Sequence, residues 1–336
     1  MTLDDRVDAL ASLGLTPRQT HFIALVALHS GYCLRRQYLR FAGLRYGKNV
    51  RAFLDGLVDR GLATRFAYRG DRGHLYHLCA RSIYRAIDQE DNRNRRHTSP
   101  ALIARKLMVL DHVLAHPERD WYATEHDKVA LFTERFGVPV SELPHRVYTA
   151  TDGLAGPTIR YFVHKQPVYL EGAPPVVHLV YLVTDGTGCG FEQFLSDHAP
   201  LLARLPLWAV DAIGAGAVHG LPACHAVFEA FVAGAVSSTG TQLADLPWYF
   251  ATRRLVDAGQ FGGLSVAEIN RFRDARAQFR APAIASLYTR WLLHGDAVFA
   301  QEAAPSSAGA AVHVGHLVTE QLPGQYTQFG ALAGVV

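Results

Sequence analysis

The sequence predicts an α+β protein in two parts: a winged helix-turn-helix over residues 1–87, then an α/β domain with a mixed, partly parallel sheet over residues 101–302. Three observations predict it. Residues 1–87 read as helix, short helix, turn, helix, two-strand hairpin and closing helix. Charge divides near the same place: residues 1–106 hold 19 Lys and Arg against 9 Asp and Glu, a net +10, and the other 230 residues hold 14 against 21, a net −7. Beyond residue 101, apolar runs alternate with amphipathic stretches, as strands and helices do around a partly parallel sheet. At 336 residues and 49% hydrophobic composition, the chain is long enough for two cored units.

The first strong helix is "LTPRQTHFIALVALHSG". Thr16 suits an N-cap, Pro17 the first helical position, and Gln19 completes a capping box. Phe22, Ile23, Val26 and Ala27 form its apolar face, and Gly31 closes it. "LRRQYLRFAG" reads as a short helix with Tyr38, Leu39 and Ala42 inward and Arg35, Arg36 and Arg40 outward. Gly43 turns the chain. In "GLRYGKNVRAFLDGLVDRGLA", Val50, Phe53, Leu54, Leu57 and Val58 follow the spacing of a core-facing helical stripe, and Gly61 stops the helix. "LATRFAY" alternates as a strand does, "RGDRG" is a turn, "HLYHL" returns, and "RSIYRAI" closes the unit.

Residues 88–100, "DQEDNRNRRHTSP", have no apolar residue except the final proline and read as a linker. "ALIARKLMVLDHVLAH" is helical, and "EHDKVALFTERFG" a further helix. "TIRYFVHKQPVYL" alternates like a strand pair. "PVVHLVYLVTDG" and "LWAVDAIGAG" read as buried strands, and "GFEQFLSDHAPLLARL", "ACHAVFEAFVAG" and "SVAEINRFRDARAQF" as helices. Residues 303–336 open Ala/Gly/Ser-rich and read as a loosely ordered tail. No stretch reads as a membrane span or a signal peptide, so a cytoplasmic location is expected.

A basic unit joined to an acidic one points to a polyanion-binding module on a body that is not one. In the "GLRYGKNVRAF" helix, Lys48, Asn49 and Arg51 lie at the front, where a recognition helix meets base edges or phosphates, and Ala52 lets it sit deep. Arg45 and Tyr46 precede it and suit backbone contacts. Arg35, Arg36 and Arg40 would cross the backbone from the second helix, and Arg69, Arg72 and His74 would do so from the wing tip. Asp55 and Asp59 are placed further from the groove, facing away from the phosphates.

"LTPRQ" at a helix start, "LRRQYLRFAGL", "LDGLVDRGLATR" and "GHLYHL" resemble the N-terminal half of the replication-relaxation family, winged-helix accessory proteins of plasmids and mobile elements. MarR-like regulators share the pattern. The resemblance covers residues 13–87 and implies double-stranded DNA binding near a replication or transfer origin, or at a promoter. By position, Lys48, Asn49 and Arg51 would be the recognition residues.

The second part carries no recognisable chemistry, so no enzyme, metal or cofactor is expected. Cys33, Cys79, Cys189 and Cys224 lie 35 or more residues apart with no C-x-x-C, and read as small buried thiols. Restriction-type nucleases need an acid on one strand and acid-x-Lys on the next. The only lysines after Lys106 are Lys128 and Lys165, and neither has that spacing. "VTDGTGCGFEQF" lacks the Walker lysine and the G-x-G-x-x-G spacing and reads as a tight strand-to-helix turn. Asp185 and Glu192 flank it and could hold a cation. The expected protein is a sequence-specific double-stranded-DNA binder, a transcription regulator or a replication or mobilisation factor. It would act as a homodimer, with a protein partner or small ligand at the second domain. A DNA-targeted nuclease or hydrolase and a winged-helix protein–protein adaptor are the alternatives.

Overall fold

A computed structural model describes residues 1–45, 48–67, 73–148, 158–184, 186–215, 220–237, 246–279, 282–302, 314–324 and 326. It is an α+β protein. The N-terminal elements are α1 (Leu3–Ala9), α2 (Pro17–His29), β1 (Tyr32–Leu34), α3 (Arg35–Ala42), α4 (Lys48–Asp59), β2 (Ala63–Ala67), β3 (His74–Leu78) and α5 (Arg81–Ala86). The three strands form one antiparallel sheet in the order β1-β3-β2.

Local signals fix these elements. Thr16 accepts from the Gln19 amide while the Gln19 side chain accepts from the Thr16 amide, and Pro17 opens α2. The apolar stripe of α4 is buried: Val50, Phe53, Leu54 and Leu57 are all under 9% exposed. Strand β1 had no sequence signal, because three fully buried residues show no periodicity. Gly31 makes its entry possible. Its φ is +76°, and a Cβ there would lie 2.2 Å from the Asn94 carbonyl oxygen.

Asn94 belongs to the 88–100 segment, and it fastens that segment to the first unit. Its Nδ2 donates to the Ala27 and Leu28 carbonyls at 3.0 and 2.9 Å, capping the end of α2. Next comes α6 (Pro100–Ala115), then β4 (Asp120–Tyr122) and α7 (Glu125–Ala130), which runs on as a π-helical turn, Leu131–Arg135. The following elements are β5 (His145–Tyr148), β6 (Thr158–Tyr161), β7 (Val168–Glu171), β8 (Val176–Leu182), α8 (Cys189–Leu202), β9 (Leu207–Ala215) and α9 (Gly220–Ser237). The chain ends with α10 (Leu246–Asp257), α11 (Val266–Gln278), α12 (Pro282–His294), α13 (Ala297–Glu302) and β10 (Val314–Leu322).

The main sheet is mixed, in the order β10-β9-β8-β7-β4. β8, β9 and β10 run parallel, while β7 and β4 are antiparallel to their neighbours. Helix α6 packs against β1, α2 and α3 on one side and β8, β9 and β10 on the other. Its Leu107, Leu110 and Val113 join both parts in one continuous core. Helices α10–α13 build a separate aromatic cluster around Tyr249, Phe250, Phe272 and Trp291.

Two expectations are corrected. "TIRYFVHKQPVYL" is not a strand pair: β6 pairs with β5 in a separate two-stranded ribbon, while β7 joins the main sheet. Phe162 and Lys165 at φ +49° and +59° break the extended chain between them. Residues 314–322, expected in a loose tail, form a nine-residue parallel strand beside β9. Gly315 permits it, since a Cβ there would meet the Trp208 ring at 2.4 Å. No helix among the described residues is long and apolar enough to cross a membrane.

Candidate nucleic-acid interface

Helix α4 leaves Asn49, Arg51, Ala52 and Asp59 exposed on the side away from its buried stripe. Arg51, with its side chain 70% exposed, lies 3.2 Å from Asp55 one turn on. Asp55, placed by the sequence on the side facing away from the phosphates, is bonded into neighbouring elements as well. Its Oδ1 accepts from Arg65 of β2 and from the Tyr76 hydroxyl of β3, both at 3.1 Å. Burial works against its ionisation, but the hydrogen bonds from Tyr76, Arg51 and Arg65 outweigh it and hold the carboxyl below its ordinary value. Arg35 of α3 interacts with Tyr76. The His74 imidazole is pushed below its ordinary value by burial first, then by Arg65 and Arg35. His74 is therefore mostly neutral at pH 7. Bases from α4 and β2 thus meet one carboxylate, and the α3 base meets the tyrosine that bonds it.

The other expected residues fare differently. Arg40 and Arg45 are exposed, on α3 and just after it. Tyr46, Arg69 and Arg72 lie outside the described residues, as does the side chain of Lys48, whose backbone starts α4. Arg36 is corrected: it points inward, not at a groove. Its guanidinium grips Asp111 of α6 through two bonds of 2.9 and 2.7 Å, with Asp111 only 1% exposed. The Tyr326 hydroxyl donates to the same carboxylate, and its ring lies beneath Arg36.

In the main sheet, Asp211 of β9 is buried and accepts from the Tyr169 hydroxyl of β7 at 2.6 Å and from His178 Nδ1 of β8 at 2.9 Å. His112 of α6 bonds Glu320 of β10 at 2.6 Å. Its Nε2 stands 3.8 Å from Asp211, too far for a hydrogen bond. Tyr169, Glu171, His178 and Val180 thus occupy the adjacent central strands, where a restriction-type site would place its acids and its lysine. Lys128 instead lies buried in α7 with Nζ 2.5 Å from the Gln166 carbonyl. These imidazoles and carboxylates bond mostly to one another, and the arrangement can share protons between them.

The glycine loop before α8 is explained by packing. Gly188, at φ +75°, lies where a Cβ would come within 3.2–3.3 Å of Val227 and Ala223 of α9. Asp185, offered for a cation, lies outside the described residues, and no group of three or more metal-binding side chains occurs among the described ones. The four cysteines are free. Cys33 and Cys224 are buried as expected, whereas Cys189 is exposed and Cys79 half-buried.

No family model, curated protein or solved structure matches this chain. Function therefore has to be argued from side chains alone. Sequence reading missed Arg65, Tyr76 and their bonds to Asp55. The alternation of "LATRF" did put Arg65 opposite the face of Leu62, Thr64 and Phe66. Which neighbour it would meet depended on hairpin register.

Proposed function

We propose that residues 1–87 form a winged helix-turn-helix that binds double-stranded DNA in a sequence-specific way, with the front of α4 entering the major groove. The observation that carries the reading is the pairing of Arg51 and Arg65, from two elements, with Asp55, while Arg35 of a third element meets Tyr76, which bonds the same carboxylate, and Arg40, Arg45 and Asn49 are exposed. Two guanidiniums on one carboxylate, with Arg35 beside Tyr76, leave a net positive surface, which duplex phosphates complement. The chain order supports it too. A helix, a short strand, two helices and a hairpin whose second strand pairs with that first strand is the connectivity of a winged helix.

The role is that of a transcription regulator or of an accessory factor in replication or mobilisation, in line with the family resemblance. The reading extends to a homodimer on half-sites about one helical turn apart, which sedimentation of the DNA complex checks. Selection of bound fragments from a random duplex pool, followed by titration of the winners, tests the proposal. One enriched motif bound with steep salt dependence is expected. Equal, salt-insensitive retention of all fragments, or none, would refute it. Plasmid incubated with Mg²⁺ or Mn²⁺ is expected to stay intact.

A further inference from the structure

We propose that the β5–β6 ribbon is a second DNA-contacting arm, so that the protein grips duplex beyond the stretch read by α4. This rests on the DNA-binding reading above. The ribbon consists of two strands only; its His145–Tyr161 end rests on the core, and beyond it both faces are open, with Val147, Tyr148 and Ile159 55%, 49% and 47% exposed. A two-stranded hairpin is marginal on its own. In its register Arg146 stands directly opposite Arg160, and Val147 opposite Ile159. Like charges facing each other across a strand pair are destabilising. The acid beside them is Glu125, 3.7 Å from Arg160, whose own side chain is 56% exposed. Charge repulsion and missing support are both relieved when the ribbon lies against a polyanion.

The shape fits as well, because the major groove admits a two-stranded ribbon. The Arg146–Arg160 face, which also carries Tyr148 and Thr158, offers charge and hydrogen bonds to phosphates and base edges. The opposite face, with Val147 and Ile159, offers apolar contact to thymine methyls.

Further bases stand near this arm and near the first interface. Lys165 follows β6 in a left-handed turn, at φ +59°. Burial first, then Arg93 and Arg160, make its ammonium easier to deprotonate, against the pull of Glu125. Arg93 and Arg96 are exposed on the turn that Asn94 fastens to α2, and the Asn94 carbonyl faces His77 of β3 at 3.0 Å. Basic side chains thus stand on the turn beside β3, at Arg93 and Arg96, and at the end of the ribbon, at Lys165.

The test uses the full chain and a labelled random-sequence duplex, with anisotropy titrations across a salt series. Each phosphate contact contributes about 0.9 to the log–log slope, so Arg146→Ala with Arg160→Ala is expected to flatten it by about 1.8. Arg146→Lys with Arg160→Lys is expected to keep the slope. Arg273→Ala with Arg276→Ala, which removes equal charge from exposed positions on α11, is expected to leave it unchanged. Melting curves confirm that each variant is folded. If the ribbon double variant keeps the wild-type slope while Arg51→Ala lowers it, the second arm is overturned and the first interface stands. If the wild-type chain binds no duplex at any salt, both fall together.

Discussion

Arg36 and Arg51 look equivalent in the sequence, and the structure predicts opposite outcomes for their removal. Arg36→Ala leaves Asp111, only 1% exposed, with Tyr326 as its remaining hydrogen-bonded partner. Removing one partner of a fully buried pair costs about 3–5 kcal/mol. The Arg36 side chain is 40% exposed, so water screens part of the interaction and the Tyr326 bond persists. A loss of about 2 kcal/mol follows, at the level of a charged hydrogen bond. In a chain of 336 residues that lowers Tm by about 3 °C. Arg51 is 70% exposed and bridges an adjacent turn, so its loss changes stability by less than about 0.5 kcal/mol. On the DNA-binding reading proposed above, its effect is expected in the salt series instead, where the slope flattens by about 0.9. The assay pairs circular-dichroism melts with anisotropy titrations on both variants. An Arg36→Ala protein with unchanged Tm and a flattened salt slope would refute the assignment of Arg36 to the interior.

Three further outcomes follow from the same structure. Asp55→Ala removes the carboxylate amid Arg51 and Arg65 and is expected to strengthen binding to random duplex while narrowing the preference for the selected motif. Weaker binding to both sequences in anisotropy titrations would contradict it. Gly31→Ala is expected to destabilise by more than about 1 kcal/mol, because the position is left-handed and the added carbon overlaps the Asn94 carbonyl; urea denaturation reads it. Lys128 is fully buried, and burial lowers its pKa to about 7 against an ordinary 10.5. Between those values the unfolded chain holds a proton that the folded chain lacks, so stability rises with pH from about 7 to 10.5. Lys128→Met is expected to flatten that rise in urea melts taken across the range, and an unchanged pH slope would show that Lys128 is charged when folded.

Much of the N-terminal unit was legible in the sequence because its signals are local. The Thr16–Gln19 box and the Val50–Leu57 stripe depend on spacings of three and four residues, which helix geometry fixes wherever the helix sits. Exposure of Asn49 and Arg51 follows from burial of that stripe. The buried strands β8 and β9 were legible from their continuous apolar runs. The destination of each charge was not. Asp55 reads as an ordinary solvent-face acid until β2 and β3 bring Arg65 and Tyr76 to it. The ribbon was misread because alternation shows that a segment is extended but not which strand it pairs with.

The sequence by itself determined the capped start of α2, the basic-then-acidic division and the buried faces of α2 and α4. Each of these depends on neighbours along the chain or on composition. Only the tertiary structure decided that Arg36 serves the interior, that residues 314–322 complete the main sheet, and that Asp55 gathers hydrogen-bond donors from β2 and β3. Arg36 meets a carboxylate 75 residues away, and that carboxylate meets a tyrosine 215 residues away. An ion pair forms where folding brings opposite charges within a few ångströms, and no periodicity along the chain records that meeting.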